Sequence, residues 1–107
     1  MTWEQKLQAC AALGPPVSLN MRMPGNWYAH QSGVWITNPH SSTGKYGNGK
    51  TPQEAAEDHF KCLTELDHED ECVKVEYCGQ SRFVTWNGFM WSDYPEDRFA
   101  RDGAMGQ

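Results

Sequence analysis

The chain has 107 residues, four cysteines and a formal charge of −5 at pH 7, and 38% of its residues are hydrophobic. These values predict one small domain with a single core, and they exclude a multidomain enzyme with a deep cleft. No apolar run reaches the length of a membrane span, and Glu4 lies where a leader would be apolar, so we expect a cytoplasmic protein without membrane contact.

The first part of the chain contains one predicted helix and a predicted three-stranded meander. A capping-box pattern at Thr2 precedes a helical apolar repeat, so we predict a first helix over about residues 3–13. Apolar and polar residues then alternate over 17–23, which predicts a strand with one buried face. Two further short strands are expected over 27–31 and 34–37, paired in sequence order.

A long loop and a second helix follow. Residues 38–50 are rich in glycine and lack the apolar period of a helix or a strand, so they are predicted to form an irregular loop. Thr51 is a typical helix cap, Pro52 suits the first helical position, and Glu54 completes the capping pattern. We therefore predict a second helix that begins at Pro52.

A second antiparallel meander is predicted at the end of the domain. Alternating residues predict a strand over 72–78, and a turn at Gly79-Gln80 leads into strands over 82–86 and 89–91. Asn87-Gly88, between the last two strands, is the pair best suited to a two-residue hairpin loop.

Together these elements predict an α+β domain over residues 1–94. Antiparallel meanders of about five to six short strands pack against two helices in two layers. Residues 95–107 are expected to form a charged, mobile tail. A free sheet edge also gives so small a domain an easy route to a homodimer.

The cysteines are predicted to be reduced and to serve packing. A sharper alternative joins Cys62, His68, Cys72 and Cys78 in a zinc site, because thiolates and imidazole are suitable zinc ligands. Their spacing matches no compact zinc motif, and Cys72 and Cys78 lie at opposite ends of a predicted strand. We therefore expect no metal and no cofactor.

The charge is distributed unevenly along the chain. Residues 51–76 contain nine acids and two bases, a formal charge of −7, whereas residues 1–50 have one acid and four bases, a charge of +3. The acidic side chains are predicted to form a face that docks on a basic surface; the alternative is a solvated face that maintains solubility. This predicted acidic face consists of Glu54, Glu57, Asp58, Glu65, Asp67, Glu69, Asp70 and Glu71.

The segment Gly-Lys-Tyr-Gly-Asn-Gly-Lys-Thr over 44–51 matches the phosphate-loop pattern and precedes a helix. It has three interpretations: a glycine-rich turn, a phosphate or nucleotide site, or a nucleotide hydrolase. Hydrolysis is disfavoured because the chain lacks a parallel βαβ unit with a magnesium-binding acid. The predicted ligand-binding residues are Trp35, Lys45, Tyr46, Lys50 and Thr51.

Aromatic residues are abundant on the predicted strands. Most of the five Trp are expected in the core. If Val34 and Ile36 point inward, Trp35 points outward, and Tyr28 and His30 do the same if their neighbours are buried. An outward aromatic strip could stack nucleobases or form an interface; alternatively, the first helix covers it.

No catalytic signature surrounds the candidate nucleophile and base residues. Ser41, Ser42, His40 and Asp93 lack a nucleophile elbow or an acid–base pattern. We therefore expect a binding protein rather than an enzyme.

Two segments resemble known families. Gly-Asn-Gly-Lys-Thr-Pro-Gln-Glu-Ala-Ala-Glu-Asp over 47–58 resembles the strand-to-helix junction of HicB-like antitoxins, which implies an antitoxin or nucleic-acid-binding module as one alternative. Arg82 with Val-Thr-Trp-Asn-Gly-Phe-Met-Trp over 84–91 resembles the ending of small uncharacterised proteins of tailed bacteriophages. That resemblance implies an accessory protein, many of which counter defences such as CRISPR by stoichiometric binding.

The leading hypothesis is therefore a non-catalytic, anti-CRISPR-like phage inhibitor in the cytoplasm of the infected bacterium. Its acidic face would dock on a host defence protein or complex. The main alternative is a sponge for a nucleotide or another phosphate-bearing signal molecule, held at the Gly-Lys loop.

Overall fold

The computed structural model describes residues 1–38, 40–67 and 70–94. Within these ranges the helices are α1 (Trp3–Ala11) and α2 (Pro52–Thr64), and the strands are β1 (Ser18–Met23), β2 (Asn26–His30), β3 (Val34–Thr37), β4 (Ser42–Thr43), β5 (Gly47–Gly49), β6 (Cys72–Tyr77), β7 (Gln80–Trp86) and β8 (Trp91–Asp93). This confirms the α+β class. The tail predicted over 95–107 lies outside the described residues.

The strands form two antiparallel sheets. The small sheet has the order β1-β2-β5, and the large sheet has the order β4-β3-β6-β7-β8. The predicted meander of β1, β2 and β3 is therefore wrong at its third strand, since β3 pairs with β6. The chain leaves the small sheet at Gly33, which has a positive φ of 86°. The Gly33 carbonyl accepts from the Glu76 amide, and this bond directs the chain to the large sheet.

Helix α1 begins with the predicted capping box. The Thr2 hydroxyl accepts from the Gln5 amide, and the Gln5 side chain accepts from the Thr2 amide. The helix ends at Ala11, two residues earlier than predicted. Beyond it, the amides of Leu13 and Gly14 each bond three residues back, which tightens the last turn and buries Leu13.

The core lies between the inner face of the large sheet and the two helices. Its buried cluster consists of Cys10, Leu13, Val34, Ile36, Phe60, Leu63, Val73, Val75 and Val84. Trp86 contacts Phe60 and Trp91 edge-on, each at 5.2 Å between ring centroids. The indole of Trp91 donates to the Ala9 carbonyl, which ties β8 to α1. All five Trp are half-buried, so the expectation that most lie inside the core is wrong.

Other local predictions also need correction. Met21 and Met23 on β1 are 53% and 60% exposed, because α2 packs mainly over β5 and β2 and leaves this edge strand uncovered. The β6–β7 turn is formed by Cys78 and Gly79, which both have positive φ, rather than by Gly79 and Gln80.

The last hairpin has a longer loop than the predicted two residues. Trp86 pairs with Trp91, so residues 87–90 form the loop. The Asn87 side-chain oxygen accepts from the amides of Phe89 and Met90 and replaces the ladder bonds there. The predicted irregular loop over 38–50 instead contains β4 and β5.

The helix α2 packs unusually closely on β5. A Cβ placed on Gly47 would lie 2.3 Å from both the Ala55 carbonyl oxygen and the His59 amide nitrogen. A Cβ on Gly49 would lie 2.5 Å from the Glu54 Cβ. The glycines of the phosphate-loop-like segment therefore let the strand and the helix backbone approach each other.

A buried polar bridge joins both helices to the junction of the sheets. Gln31, which lies between β2 and β3, donates from Nε2 to the carbonyls of Cys10 and Pro15, each at 2.7 Å. Its Oε1 is 3.0 Å from Nε2 of His59, so this imidazole nitrogen is the donor. Nδ1 of His59 is buried and has no hydrogen-bond partner among the described residues.

The glycine contact predicts a large difference between two substitutions in one loop. Gly47→Ala should lower the free energy of unfolding by about 2 kcal/mol or more, because the added methyl group meets backbone on α2. Gly44→Ala is the matched control, since a Cβ added there would meet only a Trp35 side-chain atom at 3.8 Å, an ordinary contact distance. Urea unfolding measures both values, and equal losses would contradict the close packing.

The buried imidazole predicts stability that falls with acid. Burial, followed by the nearby His30, lowers the pKa of His59 from 6.5 to about 4 despite an opposing effect of Asp58. Between these values the unfolded chain binds the extra proton, so the free energy of unfolding falls by about 3 kcal/mol as the pH drops through that interval.

His59→Gln tests this dependence. The amide can still donate to Gln31, yet it does not titrate in this range. The stability advantage of the wild type over the variant should therefore shrink by about 3 kcal/mol between about pH 7 and about pH 4. Unfolding curves at both values measure it, and a constant advantage would show that His59 is not the acid-sensitive group.

Candidate binding surfaces

The start of α2 follows its predicted capping pattern. The Thr51 hydroxyl accepts from the Glu54 amide at 3.1 Å, and Pro52 occupies the first helical position. This confirms the predicted cap and start of α2, although the Glu54 carboxylate accepts from the Lys50 amide and not from the Thr51 amide that a capping box would use. The cap also fixes the direction in which the acidic side chains of the helix point.

Two carboxylates of α2 hold the strand before it. Oδ2 of Asp58 accepts from the Asn48 amide at 2.8 Å, and Oε2 of Glu54 accepts from the Lys50 amide at 3.3 Å. These amides are donors that a phosphate loop would offer to its ligand. The chain's own carboxylates therefore take the place of a phosphate at the amides of Asn48 and Lys50.

The other acids of α2 face outward. Glu57 lies 3.7 Å from Lys6, and Glu65 lies 3.9 Å from Lys61, both in partly exposed ion pairs. Such pairs contribute little to stability, so their carboxylates stay available to a partner. They line an open groove of about 910 Å³ between α2 and the strands β2 and β5.

The acidic connector continues this surface beyond α2. Asp67, Asp70 and Glu71 lie there, and Glu69 lies outside the described residues. The amides of Asp70 and Glu71 both donate to the Asp67 carbonyl. Desolvation, followed by the neighbouring Asp67 and Glu71, raises the pKa of the Asp70 carboxyl.

Three of the five predicted ligand-binding residues meet at one cavity. Trp35, Lys45 and Tyr46 line a cavity of about 340 Å³ together with His30, and none of the residues that line it is acidic. Lys50 and Thr51 do not line it. Lys50 instead lines the groove beside α2.

The cavity opens at one end of an aromatic row on the outer face of the small sheet. The ring of Tyr46 stacks on His30 at 4.8 Å and meets Tyr28 edge-on at 5.7 Å. The guanidinium of Arg22 lies 4.3 Å over the Tyr28 ring and donates to the Asn48 side chain at 2.9 Å. Strand alternation correctly placed Tyr28 and His30 outward, but Arg22 was not among the predicted ligand-binding residues.

The small sheet therefore separates two surfaces of different charge. Register places Tyr28, His30 and Asn48 on one face, and Ala29 and the β5 glycines on the other, against α2. The acids of α2 lie on the helix side, whereas Arg22 lies on the opposite side with the aromatic rings. The helix side is rich in acids, although Lys6, Lys50 and Lys61 line the same groove.

The cysteines remain free thiols and are dispersed. Burial raises the pKa of Cys10 and of Cys72 to about 12, so both are inert thiols. Cys78 is exposed at the β6–β7 turn. Across residues 1–38, 40–67 and 70–94, no three His, Cys, Asp or Glu side chains are grouped so that they could hold a metal ion, and His68 lies outside these ranges.

No protein-family model, curated protein or solved structure matches the chain. Among the described residues, no helix is both long and apolar enough to cross a membrane. The surfaces themselves are therefore the basis for inferring what the protein binds.

The hydrogen bonds predict that neighbouring acids of α2 differ in their effect on stability. Asp58→Ala should cost about 1 kcal/mol, because it removes a charge-assisted bond to the Asn48 amide. Glu57→Ala should cost about 0.5 kcal/mol or less, since its ion pair is on the surface. Thermal and urea unfolding compare the two, and a more costly Glu57→Ala would contradict the assignment.

Proposed function

We propose that the protein is a non-catalytic phage accessory protein that inhibits a bacterial antiviral defence system by stoichiometric binding. The observation that supports this proposal most is the pair of outward carboxylates, Glu57 and Glu65, at the groove beside α2. An acidic surface of this kind can compete for the basic channel in which a defence protein holds nucleic acid.

The rigidity of α2 supports the docking role. Its first turn is capped by Thr51, its backbone rests on the β5 glycines, and Asp58 is bonded to the preceding strand. A helix fixed in this way presents Glu57 and Glu65 with little ordering cost on binding. The phage and anti-CRISPR-like part of the proposal comes from the resemblance of residues 82–91, which form most of the β7–β8 hairpin.

Charge reversal tests the docking surface. The double variant Glu57→Lys/Glu65→Lys changes outward acids only and leaves the carboxylates that bond to loop amides intact. In affinity capture from a lysate of bacteria that carry CRISPR–Cas, the wild type should retain a defence protein that elutes as salt rises from about 0.1 M to about 0.5 M. The double variant should lose at least roughly tenfold in affinity for that protein.

Glu4→Lys/Asp93→Lys is the matched control, because it makes the same change in net charge at exposed acids outside the predicted acidic face. It should capture the same protein as the wild type. In cells whose CRISPR–Cas targets a phage, the wild type and the control should restore plaques and the double variant should not. The proposal would be refuted if neither salt nor the charge reversal weakened capture of the defence protein, or if the double variant restored plaques as well as the wild type does.

A further inference from the structure

We propose that the cavity beside Trp35 is a nucleotide site, in which a base stacks against the aromatic rings of Tyr46 and Trp35 and a phosphate pairs with Lys45. The aromatic row at which the site opens lies on the face of the small sheet opposite α2. The site shares no residue with the acidic docking surface and stands independently of it.

The composition of the cavity matches a nucleotide unit. Its volume of about 340 Å³ is within the range of small-molecule sites, about 300–1,000 Å³. Three rings line it, those of His30, Trp35 and Tyr46, and the first and last already stack on each other. Aromatic faces of this kind bind any base, because every base has a π-face.

The local charge also favours an anion. Lys45 is exposed at the rim, and none of the lining residues is acidic. Gly44, next to Lys45, also lines the cavity and has no side chain that would occupy it. A phosphate at this rim would therefore meet a cation and open space rather than a carboxylate.

The aromatic row gives the nucleotide two possible sources. A free mononucleotide would fill the cavity alone. A single strand would continue from the cavity across Tyr28 toward Arg22, whose guanidinium could pair with a following phosphate. Both sources use the same stacking and the same Lys45, and their lengths distinguish them.

Calorimetric titration with adenosine, AMP and a six-residue oligoadenylate tests the site. AMP should bind more tightly than adenosine, because only AMP has the phosphate. Tyr46→Ala should weaken AMP binding by at least roughly tenfold, and Tyr46→Phe, which keeps the ring, by no more than about twofold. Lys45→Ala should weaken AMP binding and reduce its salt dependence, whereas Lys50→Ala, the matched control outside the cavity, should change neither.

A variant of Arg22 tests whether the ligand is a single-stranded nucleic acid. If the oligoadenylate binds more tightly than AMP and Arg22→Ala removes only that gain, the ligand is a single strand. Equal affinity for both identifies a mononucleotide. The NMR signal of the Trp35 indole, assigned from Trp35→Phe, should shift with either ligand.

Several outcomes would overturn the site. These are no heat and no indole shift with any of the three probes, or binding that survives both Tyr46→Ala and Lys45→Ala in variants with wild-type circular dichroism. Glu57→Lys/Glu65→Lys should leave AMP binding unchanged. Loss of defence-protein capture with intact AMP binding would therefore separate failure of one proposal from failure of the other.

Discussion

The amide of Gln31 is the contact on which the arrangement of both sheets and both helices depends. It lies where the chain leaves β2 for β3 and accepts from His59 on α2. It donates to the carbonyl of Cys10, in the last turn of α1, and to that of Pro15, which follows the helix. Burial of an amide is costly unless each polar atom is bonded, and here both atoms of the group are. The buried polar atom without a partner is instead Nδ1 of His59. The imidazole remains neutral because a proton on Nδ1 would be buried without an acceptor.

The glycines of β5 determine what the rest of that region can do. Because Gly47 and Gly49 have no side chains, α2 rests directly on the strand, and its first acids come within bonding distance of the strand amides. The segment that resembles a phosphate loop thus allows a helix to pack closely on a strand. Because α2 covers only one face of β5, the opposite face is available to the Asn48 side chain and the aromatic row.

The parts of the fold that could be predicted from sequence are those with local causes. Capping residues located the start of α2, and alternation located β6 and β7, because these signals act within a few residues. Three features depend on distant partners and were not predicted. β3 pairs with β6, which is far from it in sequence. β5 has no apolar period and is a strand only because it pairs with β2, and Met21 is exposed although it alternates like a buried residue. For the site, alternation placed Tyr28 and His30 outward, yet only the fold brings Trp35 to Tyr46.

The two surfaces can act separately because they share no lining residue. They are not electrically isolated. Lys45 acts on the Cys62 thiol of α2, where it opposes the rise in pKa that burial and Asp58 cause, so the acids of α2 also act near the cavity. Net charge alone would argue against binding any nucleotide, whereas the lining of the cavity contains a lysine and no acid. The residues that line each surface, rather than the total charge, therefore decide which ligand it accepts.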